Sequence, residues 1–152
     1  MEYIRSATAE EEADGCFFCE NLAAGDDEAA YILARTDEAF VILNAFPYNP
    51  GHLMVAPVRH VGEFEELTSE ELAASAELLQ RSIRALKESS SPDGFNMGVN
   101  LGRVAGAGVP GHLHWHVVPR WNGDTNFMPV IGETKVLPEA LAQTYARLKP
   151  RF

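Results

Sequence analysis

The chain is poor in cysteine, with two among its 152 residues, both in "CFFC" at 16–19. So few thiols exclude a disulfide-stapled secreted scaffold. Long apolar runs are also missing, and none approaches the ~20 residues needed to cross a bilayer. The stretch "MEYIRSATAEEEADG" is acidic and lacks an apolar signal core. Residues 1–14 therefore read as a flexible acidic leader, and the protein as cytoplasmic. Basic side chains are scarce: twelve Lys and Arg stand against twenty-two Asp and Glu, a formal charge of −10. That excludes general binding to nucleic acid or to anionic membrane, both of which need a basic surface.

The shortage of positive charge is uneven. Residues 1–93 hold six basic and nineteen acidic side chains, net −13, whereas residues 94–152 hold six and three, net +3. A phosphate-bearing substrate would need such a local basic island, because the field of the whole molecule repels it. What the chain has in quantity is apolar residues, 46% of the total, enough for a real core in one domain. No repeat or long linker divides residues 1–152.

Five strands are predicted. "AYILAR" (30–35) and "AFVILNAF" (39–46) form a hairpin across a short Thr-Asp-Glu turn. "GHLMVAPVRH" (51–60) starts after Pro50-Gly51, and "GFNMGVNL" (94–101) and "HLHWHVVPR" (112–120) supply the rest. Between the third and fourth lies the clearest helix, opened by a Thr68/Glu71 capping box. Its predicted apolar face is Leu72, Ala76, Leu79, Ile83 and Leu86. A shorter helix after Pro138 carries Leu141, Tyr145 and Leu148 on one side. The pattern predicts an α+β fold: an antiparallel five-stranded sheet with one long helix and a C-terminal helix.

Three of the five histidines fall at alternate positions in "GHLHWHVVPRW" (111–121). On a strand, period two places Leu113, Trp115 and Val117 on one face and His112, His114 and His116 on the other. Side chains spaced about 7 Å apart suit shared work on one phosphate or one metal ion. Unrelated surface histidines explain such a cluster poorly.

"HLHWHVV" matches the His-x-His-x-His-x-x pattern of the histidine triad (HIT) superfamily. "LNAFPYNPGHLMVAPVRH" and "GFNMGVNLGRVAGAG" resemble its ribose- and phosphate-binding segments, and the matching blocks span roughly residues 16 to 136. The stretch "PRWNGDTNFMPVIGETKVLPE" resembles the bacterial branch that cleaves diadenosine polyphosphates, which includes phosphorylases. The resemblance implies a single HIT domain that forms a covalent nucleotidyl-histidine on His114. It implies that His116 donates to phosphate oxygens and that His52 orients the imidazoles. It puts Asn44 on the ribose and Asn100 on phosphate. Gly106, Ala107 and Gly108, in "GRVAGAG", offer backbone N–H groups where small residues permit close approach. Many relatives carry a polar side chain where this chain has Ala107-Gly108. That departure leaves room for inorganic phosphate as the acceptor, with ATP and ADP as products.

Phe17, Ile42 and Phe46 are candidate walls for adenine, Arg120 and Lys135 candidate partners of distal phosphates, and Asn96 a further polar candidate. Cys16 and Cys19 are either packed thiols or half of a zinc site. In zinc-keeping relatives the match falls on Cys16, Cys19, His60 and His112, a structural site that would take His112 out of acid–base work. Homodimerisation is a further implication, with no organic cofactor. Two other readings stand beside nucleotide phosphorolysis or hydrolysis: a nucleoside phosphoramidate hydrolase, and a nucleotide-binding sensor with little turnover.

Overall fold

The computed structural model describes residues 14–125 and 139–152. Lys135, nearly all of the acidic leader and most of the segment 119–139 lie outside the described residues.

Five strands make one antiparallel sheet in the order β1-β2-β3-β5-β4. They are β1 (Ile32–Arg35), β2 (Ala39–Leu43), β3 (Leu53–Pro57), β4 (Gly94–Val99) and β5 (Trp115–Arg120). Each lies inside a predicted segment but is shorter. β2 and β3 are buried along their whole length because both faces are covered. One face carries Leu33, Val41, Leu43, Val55 and Val117 against the long helix. The other carries Ile32, Phe40, Ile42, Met54 and Ala56, packed under the amino-terminal segment.

That covering segment contains two short helices, α1 (Phe17–Ala24) and α2 (Asp27–Ala30). Cys16 is the residue preceding the first turn of α1, and Gly25, at φ 69°, ends it. The long helix α3 (Ser69–Ser90) opens with the expected capping box. Its buried face is Glu71, Ser75, Leu78, Ser82, Ala85 and Leu86, which shares only Leu86 with the predicted one. Leu72 and Ala76 are exposed, while Leu79 and Ile83 pack only at the margin. Small serines let the helix approach the sheet closely: Ser82 Oγ donates to the Leu78 carbonyl at 2.7 Å, whereas Ser75 Oγ is buried without a hydrogen-bond partner among the described residues. The C-terminal helix α4 (Leu141–Leu148) packs Tyr145 and Leu148 into the same layer.

Candidate active site and metal centre

β5 starts at Trp115, so His112 and His114 precede it in irregular backbone and His116 is its second residue. The expected division between faces is still present. Leu113 joins Val61 and Leu67, and Val117 joins the core beneath α3. The three imidazoles lie on the opposite face, where the His114 and His116 rings are 5.0 Å apart.

Hydrogen bonds fix the state of each ring. His114 Nδ1 donates to the His112 carbonyl oxygen at 2.8 Å. A carbonyl only accepts, so Nδ1 carries the hydrogen and Nε2 keeps the lone pair. His52, which is fully buried, receives the Tyr48 backbone N–H on Nδ1 at 3.0 Å. Its Nε2 therefore bears the hydrogen and donates to His116 Nδ1, 2.9 Å away. His116 is left with Nε2–H as a donor. Asn44 Nδ2 lies 3.4 Å from the same His52 nitrogen, but two N–H groups cannot bond each other, so the shorter contact decides. Asn44 Oδ1 accepts from the Phe46 N–H at 2.8 Å. The chain Tyr48–His52–His116 thus runs one way, ending on a donor beside a lone-pair nitrogen.

Burial favours the neutral form of His114 and His116. It lowers His116 to about 4, with the neighbouring His114 adding to the effect. It also lowers His114, against a raising contribution from its bond to the His112 carbonyl. A neutral imidazole at pH 7 has the nucleophilic form ready.

A cavity of about 390 Å³ opens in front of His114 and His116, bounded by Phe17, Phe46 and Asn44 on one side and by Gly106 and Gly108 on the other. Ile42, an expected wall, is instead fully buried in the layer beneath. Ala107 is buried in the loop between the two glycines. Asn100 reaches that loop, 3.5 Å from the Gly106 carbonyl. Arg120 is not a free cation: its Nε and Nη2 donate to Asp124 at 2.6 and 3.0 Å, and its Nη1 donates to Asn96 at 2.6 Å.

The sequence reading missed two aromatic rings. Tyr48 lies nearly parallel to His116, at 15° with centroids 6.1 Å apart. Phe18 sits between His112 and His114, 5.0 and 4.9 Å from their centroids. Phe18 follows Phe17 in "CFFC", but neither Phe18 nor Tyr48 carries a local signal for what its ring packs against.

Cys16, Cys19, His60 and His112 converge, with one ligand atom from each all within 4.8 Å of one another. Cys16 Sγ lies 3.5 Å from His112 Nδ1, and Cys19 Sγ lies 3.4 Å from His60 Nδ1 and 3.5 Å from His112 Nδ1. A tetrahedral zinc site with ordinary Zn–S and Zn–N bonds has S···N edges of about 3.6 Å. The four side chains could therefore hold such an ion with little movement. His112 Nε2 donates to the Pro57 carbonyl at 2.8 Å, which turns Nδ1 toward the cluster and orients a ligand in the usual way. Burial, then the neighbouring Cys16 thiol, push Cys19 up to about 11. A coordinated cation would reverse that, because a ligating thiol is deprotonated.

Comparison with known proteins agrees with this architecture. The HIT domain matches residues 27–123. Among curated relatives, an AP-4-A phosphorylase of Mycobacterium tuberculosis is 50% identical over 118 residues, 78% of this chain and 60% of that protein. The chain thus spans about 60% of the length of that relative. An uncharacterised HIT-like protein of Saccharolobus solfataricus is 33% identical over 113 residues, covering 74% of this chain and 79% of its own. Among solved structures, a Zn-bound histidine triad family protein from Mycobacterium smegmatis superposes with a TM-score of 0.74 at 29% identity, covering 91% of this chain and 94% of that one. The chain belongs to the HIT domain family.

Proposed function

We propose that the protein cleaves dinucleoside polyphosphates, with diadenosine tetraphosphate as the preferred substrate, by nucleotidyl transfer through His114. The observation that carries the reading is the bond from His114 Nδ1–H to the His112 carbonyl, which reserves Nε2 for attack beside a donor on His116. Nε2 attacks the α-phosphorus, a P–N bond forms and the bridging P–O bond breaks. ATP leaves with that electron pair, and His116 Nε2–H stabilises the charge that develops on oxygen. An oxygen of inorganic phosphate then attacks the same phosphorus and the P–N bond breaks. ADP is released and His114 is restored. Two observations support phosphate over water as acceptor: the similarity to an AP-4-A phosphorylase, and a loop that offers Ala107 and Gly108 where a water-positioning side chain would sit.

Zinc is the ion we assign to Cys16, Cys19, His60 and His112, where it would pin α1 to the loop carrying the nucleophile. A second copy of the chain is the expected partner, through the edge strand β4, whose Met97 is well exposed. The covalent step is tested by rapid quenching with diadenosine tetraphosphate in phosphate-free buffer. The expected result is an AMP-sized mass increase on the peptide carrying His114. Turnover without any adduct in that peptide would refute it.

A further inference from the structure

Among the described residues a second cavity opens beside the histidines. This cavity, of about 410 Å³, lies between β4, β5 and the loop before β3, and it shares only Tyr48 and His116 with the first. His116 Nε2–H therefore stands at the seam, where a chain bound to both cavities would cross. Register explains the space. Gly98 on β4 faces His116 on β5, and a Cβ built on Gly98 would meet nothing within 4 Å. Asn96 faces Val118 on the same side of the sheet.

The charge of this second cavity is already balanced. Arg120 is held by Asp124 and Asn96, and Asp124 is held in turn by Asn49 Nδ2 at 2.8 Å and the Trp121 N–H at 3.2 Å. An anion entering here would find the Arg120 guanidinium already engaged by Asp124 and Asn96. A neutral group with donors and acceptors would find both kinds of partner. That chemistry fits a ribose and a base, and it disfavours free phosphate.

We infer that this cavity is the subsite for the second nucleoside of the substrate, the half that departs with the displaced phosphates. The inference rests on the reading of the protein as a dinucleotide-cleaving enzyme, and binding measurements separate the two. The probes are a methylene-bridged, non-cleavable diadenosine tetraphosphate and adenosine tetraphosphate, which has the same phosphates but one nucleoside. The wild-type protein is expected to bind the first about tenfold more tightly than the second. Gly98→Val, which fills the cavity, and Asn96→Ala, which removes an exposed polar group, are each expected to abolish that preference. Adenosine tetraphosphate should still bind within about twofold of wild type, which also reports an intact fold. Equal binding of the two probes by the wild type, no binding of either, or a preference that survives both substitutions would overturn the subsite. A preference lost in both variants, in a protein that fails to turn over diadenosine tetraphosphate, would uphold the subsite and refute the proposed reaction.

Discussion

The decisive feature at the scale of single residues is directional. Tyr48 N–H, His52 and His116 form a line of hydrogen bonds that ends on a donor, while His114 is wired to a backbone carbonyl and ends on a lone pair. Two chemically identical side chains, 5.0 Å apart, thereby acquire opposite roles. Replacing His114 with Ala should lower turnover by roughly 10³-fold or more with little change in nucleotide affinity, measured as kcat and as Kd separately. His52→Leu removes the donor that sets the His116 tautomer but leaves the cavity lining intact. It should reduce kcat roughly ten- to a hundredfold while KM moves far less. Equal loss in both constants would instead point to a merely structural His52. The triad was legible in the sequence because alternation is a local signal. Phe18 and Tyr48 were not, since what a ring packs against is decided by chain that is distant in sequence.

Among the elements, close approach and capping hold the site's surroundings in place. Gly62 lies against the segment leading into His112, and a Cβ there would sit 2.7 Å from the Pro110 carbonyl oxygen, a backbone atom with little room to yield. Gly62→Ala should lower stability by about 1–3 kcal/mol and weaken metal retention, read by denaturant unfolding and metal content. Glu71 on α3 accepts from Arg59 at 2.8 and 2.9 Å and from the Thr68 N–H at 2.9 Å, and these bonds, led by Arg59, hold its carboxyl below the usual range. A carboxylate whose pKa is lowered by folding stabilises fully above its unfolded value and loses that contribution as pH falls through the folded value. Glu71→Gln should therefore cost about 1–2 kcal/mol at pH 7, allowing for the solvent-exposed Arg59, and less at pH 3. Urea unfolding at the two pH values gives the comparison, and an equal cost at both would contradict it. The same helix shows where periodicity misleads. Leu72, Leu79 and Ile83 run one position away from the face that packs, where serines and the capping Glu71 stand beside Leu78 and Ala85. Sequence pattern records hydrophobicity, whereas packing here selects size and local hydrogen bonding. The existence of the five strands and their antiparallel type followed from turns and alternation, but their ends and the place of β5 between β3 and β4 did not. His112 and His114 in particular were drawn out of β5 by contacts with Pro57 and with each other.

On the scale of the whole molecule, the cluster that could hold a metal and the proposed reaction centre share His112. His112 offers Nδ1 to Cys16 and Cys19 and its carbonyl to the nucleophile, and Phe18 fills the space between His112 and His114. Stripping the ion should lower the unfolding midpoint by roughly 10 °C and release about one zinc per chain, measured by calorimetry and elemental analysis. Activity should fall with the fold rather than before it, since no step of the proposed reaction passes through the ion. The four candidate ligands were recognisable by resemblance, and their convergence needed the tertiary structure, because Cys16 and His112 are 96 residues apart. The paired cavities were not legible at all. The second arises from a glycine opposite a histidine across β4 and β5, a relation set by strand register.

Product analysis with diadenosine tetraphosphate, in the presence and absence of inorganic phosphate, tests the central claim most directly. The account predicts ATP and ADP in equal amounts, formed only when phosphate is supplied and abolished in His114→Ala. Phosphate-independent release of AMP and ATP would contradict it by making water the acceptor, and turnover surviving in His114→Ala would remove the nucleophile on which it rests.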